Sequence, residues 1–90
     1  MYAPVYTKQF AKDANRCQRR GKDLEKCKVI ARTLLAGESL APAHRDHRLV
    51  GNFAGRRECH IAPDWLLIYR TDGQRMVFER MGTHSDLFQT

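Results

Sequence analysis

The stretch Thr71-Asp72-Gly73-Gln74, set between the apolar runs Trp65–Tyr69 and Met76–Phe78, restricts this chain's fold more than any other. Asp-Gly suits the positive-φ positions of a two-residue hairpin, so Trp65–Thr71 and Arg75–Arg80 are expected to pair as antiparallel strands. A turn centred on Asp72-Gly73 sets Thr71 opposite Gln74, Tyr69 opposite Met76 and Trp65 opposite Arg80. A second tight turn, Ala62-Pro63-Asp64, in which Pro63 presets φ, adds a third strand over Arg56–Ile61. Whether Ile61 opposes Asp64 or Ala62 opposes Trp65, alternation then places His60 on the face of Trp65. His60, Trp65 and Arg80 should therefore share one face near one end of the sheet. Asp64 stands in the turn beside them, and His84 follows Arg80 after a bend at Gly82. Leu66, Ile68 and Val77 are as apolar as Leu67, Tyr69, Met76 and Phe78, so either side could be the one the helices cover.

Upstream, Met1–Tyr6 is aromatic and β-branched and reads as a first strand, with Pro4 favouring a sheet edge. Thr7 suits the cap of a helix carrying Phe10, Ala14 and Cys17 at helical spacing, and Gly21 ends it. A second helix runs from about Lys22 to Leu35, its stripe formed by Leu24, Cys27, Ile30, Ala31, Leu34 and Leu35, and stops at Gly37. Residues 38–48 read as a loop, followed by a short strand near Arg48–Val50 and, at the far end, a short helix at Ser85–Phe88. The expected fold class is α+β: β-α-α-β-β-β, a small antiparallel sheet packed against a helical hairpin, with residues 1–90 forming a single domain.

Charge narrows the partners. Of 16 Lys and Arg residues, nine lie in residues 8–32 against three acids, whereas the remainder holds seven of each sign, so the net +6 is concentrated in the helical hairpin. Such a field favours a polyanion, either nucleic acid or an acidic protein segment. No apolar run approaches the ~18 residues a membrane helix needs, and no signal peptide is evident at the start of the chain. Three cysteines without CxxC spacing read as free thiols, which suits a reducing cytoplasm.

Two histidines, a carboxylate, an arginine and an aromatic at one sheet end suit cleavage of an RNA phosphodiester without a metal or other cofactor. In that reaction a base takes the proton of the attacking 2′-OH and an acid protonates the departing 5′-oxygen. A guanidinium meanwhile stabilises the phosphate oxygens. The segments RDHRLVG, RECHIAPDWLLIY and FERMGTHSDLF, in this order behind a basic helical hairpin, resemble the YafQ branch of the RelE superfamily, bacterial toxins of type II toxin–antitoxin systems. The resemblance implies a ribosome-dependent endoribonuclease acting on mRNA and neutralised by a cognate antitoxin. That antitoxin is expected to be acidic, and through it the complex could bind operator DNA. Motif by motif it implies a catalytic set of His47, His60, Asp64, Arg80 and His84, with Trp65 and Phe88 as aromatic substrate contacts beside Arg80. His84 is assigned the general acid and His47 the general base. His60 and Asp64 orient the proton carriers or share base duty, and Arg80 holds the scissile phosphate. His47 and Phe88 enter through the resemblance alone, and His44 falls outside the motif.

Simpler fates compete. Asp64 could serve only the turn, Trp65 could be core, and Phe88 could merely tuck the chain end onto the sheet. A non-catalytic RNA- or protein-binding module would need only the basic hairpin. A gyrase poison on the same scaffold would have no use for three histidines. A zinc site drawn from His44, His47, Cys59, His60 and His84 is disfavoured because Cys59 and His60 alternate onto opposite faces.

Overall fold

The computed structural model describes residues 1–88. The chain runs β1 (Ala3–Tyr6), α1 (Lys8–Arg19), α2 (Leu24–Leu35), β2 (His47–Arg48), β3 (Arg57–Ala62), β4 (Trp65–Asp72), β5 (Arg75–Gly82) and α3 (His84–Phe88), with 3-10 turns at Pro42–His44 and Gly51–Phe53. Strand order is β1-β5-β4-β3-β2. Every neighbour is antiparallel except β1, which runs parallel to β5 with Val5 opposite Val77, so the sheet is mixed where a purely antiparallel one was expected. The parallel pair arises because the α1–α2 hairpin and strands β2 to β4 all intervene between β1 and β5, leaving room for a crossover. The short strand is His47–Arg48 instead of Arg48–Val50, and the last helix starts one residue earlier than expected, at His84. Among the described residues no helix is long and apolar enough to cross a membrane.

Local chemistry explains the helices. Thr7 Oγ1 accepts from the Phe10 N–H at 2.9 Å and caps α1. The Asp23 carboxylate accepts from the Glu25 N–H at 3.1 Å and caps α2. Gly21, at φ +85°, provides the left-handed residue that ends the first helix. The apolar faces of α1 and α2, led by Cys17, Cys27, Ile30 and Leu34, pack on Cys59, Ile61, Trp65, Leu67, Tyr69, Phe78 and Met81. A smaller cluster on the other side of the sheet joins Leu66 and Ile68 to Leu87 of α3, with Leu49, Phe53 and Phe88 against it.

Two β-bulges decide which polar residues share a face. The β4–β5 turn is Gly73-Gln74, with Asp72 opposite Arg75. Gly73 alone carries positive φ there, at +60°, as a type II′ turn requires. This slides the expected pairing along by one residue on each strand and leaves the faces unchanged. Further on, Tyr69 opposes Phe78 but Ile68 opposes Arg80, so Glu79 is the extra residue of a bulge. Phe78 and Met81 both face the helices, and the two residues between them, Glu79 and Arg80, lie on the far side. In β3, Ala62 opposes Trp65 but His60 opposes Leu66, making Ile61 the extra residue. Each bulge inverts the alternation beyond it.

The sheet edge at the end of β5 is closed by α1. Beyond Phe78, on the side away from β4, no strand among the described residues flanks β5. Instead the Thr7 hydroxyl donates to the Glu79 carbonyl at 2.8 Å, and the Met81 N–H donates to Asp13 Oδ2 at 3.0 Å. Asp13 is wholly buried.

Candidate active site

Because of the two bulges, His60 and Arg80 do share a face, but it is the face away from Trp65. The expectation that Trp65 joins them is overturned. Its side chain is 2 % exposed in the helix-side core, which leaves no ring face for a base to stack on. His60, 17 % exposed, lies on the other side of the sheet, and its ring centroid is 5.9 Å from that of His84 in an edge-to-face arrangement. His84 opens α3, and its Nδ1 is 2.7 Å from Asp64 Oδ1. The same oxygen also accepts the His84 backbone N–H at 3.0 Å. These two bonds hold the Asp64 carboxyl below the usual carboxylate range. An ionised Asp64 only accepts, so Nδ1 of His84 carries the hydrogen and Nε2 is the nitrogen left to exchange protons.

His47 reaches the same face from β2, directly opposite Glu58. Its Nδ1 is 2.6 Å from the Arg45 carbonyl, which can only accept, so Nδ1 carries a hydrogen and Nε2 is the nitrogen turned toward the rest of the site. That Nε2 is 3.5 Å from Glu58 Oε1, and His60 Nε2 is 3.9 Å from the same oxygen. Glu58 is buried at 5 % exposure, a carboxylate set between two imidazoles. The sequence reading missed it, although Glu58 and His60 are two apart on one strand and so had to share a face. The series His47, Glu58, His60, His84, Asp64 thus forms a continuous polar line across the sheet end.

Arg80 lies in the row Glu58–Ile68–Arg80, across three strands. It is about 10 Å from Glu58 by the usual strand spacing. Its Nε donates to Asp13 Oδ2 at 2.8 Å and its Nη2 to Asp13 Oδ1 at 3.3 Å. Arg16 Nη2 and Gln9 Nε2 also donate to Oδ1, at 3.0 and 3.1 Å. Burial works to raise Asp13, but the bonds from Arg80, the Met81 N–H and Gln9 outweigh it and keep the carboxyl below its ordinary value. Asp13 was also missed, since one acid in a basic helix reads as a solvated residue. It fixes the guanidinium of Arg80 from behind and leaves Nη1 uncommitted.

Phe88 sits in α3, half-buried, its ring edge-on to Phe53 at 5.3 Å and 6.5 Å from His84. The α3 turn is anchored by Asp86, which accepts from Arg20 at 2.7 Å and from the Thr83 N–H at 3.0 Å. Gly82 leaves room for that anchor, because a Cβ there would lie 2.9 Å from the Asp86 side chain. His44 donates Nδ1–H to the His60 carbonyl at 2.7 Å, closing the edge of β3 that β2 is too short to cover. Cys59 is fully buried among the helix-side residues, so the five-residue zinc set is not assembled. Among the described residues no three His, Cys, Asp or Glu side chains are placed to hold a metal ion.

A helical hairpin on one side of a mixed sheet, with histidines and carboxylates lined up on the other, is the build of a small bacterial toxin. The chain belongs to the YafQ family: the profile described as bacterial toxin of type II toxin–antitoxin system, YafQ, matches residues 2–89. It is 40 % identical over 84 residues to the mRNA interferase toxin YafQ of Escherichia coli strain K12, covering 92 % of this chain and 91 % of that protein. The crystal structure of YafQ from E. coli strain BL21(DE3) superposes with a TM-score of 0.92 at 36 % identity, covering 98 % and 99 % of the two chains. YafQ in the E. coli DinJ–YafQ complex gives 0.90 at 37 % identity, with the same coverage. A metal-bound toxin from Helicobacter pylori gives 0.91 at 36 % identity, covering 98 % of this chain and 100 % of that one.

Proposed function

We propose that this toxin is an mRNA interferase that cuts mRNA on the ribosome by general acid–base catalysis. The observation that carries the reading is the Asp64–His84 pair with His60 edge-on to it. Asp64 holds His84 by Nδ1, so Nε2 delivers a proton to the departing 5′-oxygen. His47, its Nδ1 held by the Arg45 carbonyl, takes the proton of the attacking 2′-OH. His60 and Glu58 keep that base oriented, and Arg80 steadies the phosphate oxygens through Nη1, the nitrogen Asp13 leaves uncommitted. The 2′-oxygen bonds to phosphorus as the 5′-oxygen leaves, giving a 2′,3′-cyclic phosphate and a 5′-hydroxyl. Phe88, the remaining aromatic near His84, supplies the stacking surface that buried Trp65 does not.

The basic α1–α2 hairpin suits ribosomal RNA and equally an acidic antitoxin segment. A cognate antitoxin that covers it, and through which the pair binds operator DNA, fits a family whose E. coli member is found with DinJ. The test is His84→Ala in a translating extract, with cut mRNA mapped by primer extension. Cleavage should fall about 10²–10⁴-fold, the usual worth of a positioned acid or base. Undiminished cutting would leave a binding module in its place.

A further inference from the structure

Further along the sheet from Arg80 lies a second cluster of arginines that the cleavage reaction does not use, Arg56 and Arg70 on the face of Arg80 and Arg48 and Arg57, paired across β2 and β3, reaching the same hollow from the other face. Arg48, Arg56, Arg57 and Arg70 line a pocket of about 330 Å³ at the β2–β3–β4 end. Glu79, turned to this face by its bulge, accepts from Arg70 Nε at 2.6 Å and from Arg56 Nε. Burial alone would raise the Glu79 carboxyl, yet the two guanidinium bonds hold it below its ordinary range. The arrangement repeats what Asp13 does for Arg80. A carboxylate engages each guanidinium through Nε and fixes its plane while at least one outer nitrogen remains for a ligand; Arg70 Nη1 also lies 4.0 Å from the carboxylate of exposed Asp72. Arg57 is held likewise by Asp46, at 3.2 Å. Arg48, exposed on β2, makes no ion pair among the described residues and adds an uncompensated charge. Guanidinia pre-fixed in this way are forks for phosphate oxygens, which arginine binds in planar, bidentate fashion.

From the Glu58–Ile68–Arg80 row, Arg56 and Arg70 are each two residues further along their strands, about 7 Å. An RNA strand whose scissile phosphate rests on Arg80 would bring a neighbouring phosphate over this pocket. We propose that the Arg48–Arg56–Arg70 pocket is a second phosphate subsite, binding the RNA backbone beside the cleaved linkage. It rests on the nuclease reading for which strand is bound, but the site can be tested without any cleavage.

The probe is a single-stranded RNA oligonucleotide made uncleavable by 2′-O-methylation, its affinity for the purified toxin measured across a salt series. Arg48→Gln disturbs no ion pair and so tests the pocket without threatening the fold. Arg70→Gln, which leaves Glu79 its bond to Arg56, is the second arm. Each should weaken binding on the order of tenfold. Each should also lower the slope of log affinity against log salt by about 0.7, the single-strand value for one phosphate contact. His84→Ala should leave the slope alone. In ribosome-dependent cleavage both arginine variants should raise KM and spare kcat. Unchanged slope and affinity in both variants, or no measurable binding of the probe to the wild type, would overturn the subsite. A wild type that binds the probe in this way yet cuts nothing on ribosomes would sink the nuclease reading and leave the subsite standing.

Discussion

Replacing Asp13 with asparagine is the sharpest perturbation the fold offers, because one buried carboxylate receives five donors. Oδ2 accepts from Arg80 Nε and the Met81 N–H, and Oδ1 from Arg80, Arg16 and Gln9. An amide has the same shape, but whichever oxygen becomes NH₂ must face at least two donors, and the charge is gone. Breaking a buried ion pair by removing one partner costs about 3–5 kcal/mol. Here the Arg80 and Arg16 side chains are 28 % and 29 % exposed and regain some hydration, so about 3 kcal/mol is the fitting figure. A 90-residue domain has roughly 5–13 kcal/mol in hand, so the variant should still fold. With a urea slope of roughly 1–1.5 kcal/mol per molar, the unfolding midpoint should drop by about 2–3 M. Asp13 has its folded pKa lowered, so its contribution is fully present above the unfolded-chain value of about 3.9 and disappears as pH falls through the lower folded value. The gap between wild type and Asp13→Asn should therefore be constant from pH 7 down to about pH 5 and close at the acid end. A midpoint shift below about 0.5 M, or a gap that persists unchanged at pH 2, would refute the idea that an ionised Asp13 clamps Arg80 to the sheet edge.

Gly82→Ala pushes a methyl into the Asp86 side chain at 2.9 Å. It should cost about 1–3 kcal/mol in thermal or urea unfolding and lower cleavage by loosening the turn that carries His84. Trp65→Phe should cost stability through lost core packing while leaving KM for RNA unchanged at temperatures where the variant is folded. A raised KM with intact stability would return Trp65 to the substrate. Asp64→Asn should reduce kcat more than it raises KM, since it disturbs the tautomer of His84 and not the phosphate contacts. Burial pushes the Cys27 thiol up to about 11 and Cys59 higher still. Both should resist iodoacetamide at pH 8 until denaturant is added, and rapid native alkylation would contradict their placement in the core.

The hairpin signal, the two helical stripes and the glycine stops were legible because each is local chemistry. The bulges were not. Alternation reveals a one-residue excess only where one face is polar, and Leu66 and Ile68 are as apolar as Leu67 and Tyr69. The reading that grouped His60 with Arg80 succeeded because each strand carries one bulge, so the two inversions cancelled. Trp65, between the bulges, was left behind on the original face. Asp13 needed long-range pairing to be noticed, with its partner 67 residues later in the chain, whereas Glu58 was legible beside His60 and only its second partner, His47, lies 11 residues before it. His47 could be placed only by resemblance, because nothing local says that a two-residue strand will lie beside β3.

The way α1 seals the end of β5 also limits how this molecule can go wrong. A bare strand end is a template on which another chain can lengthen the sheet, yet here the Met81 N–H and the Glu79 carbonyl are already spoken for by Asp13 and Thr7. Along this half of β5 the sheet stops growing because a helix, not a further strand, has taken the last places, while β1 borders the other half. A protein built this way can be crowded at high concentration without that margin seeding a fibril.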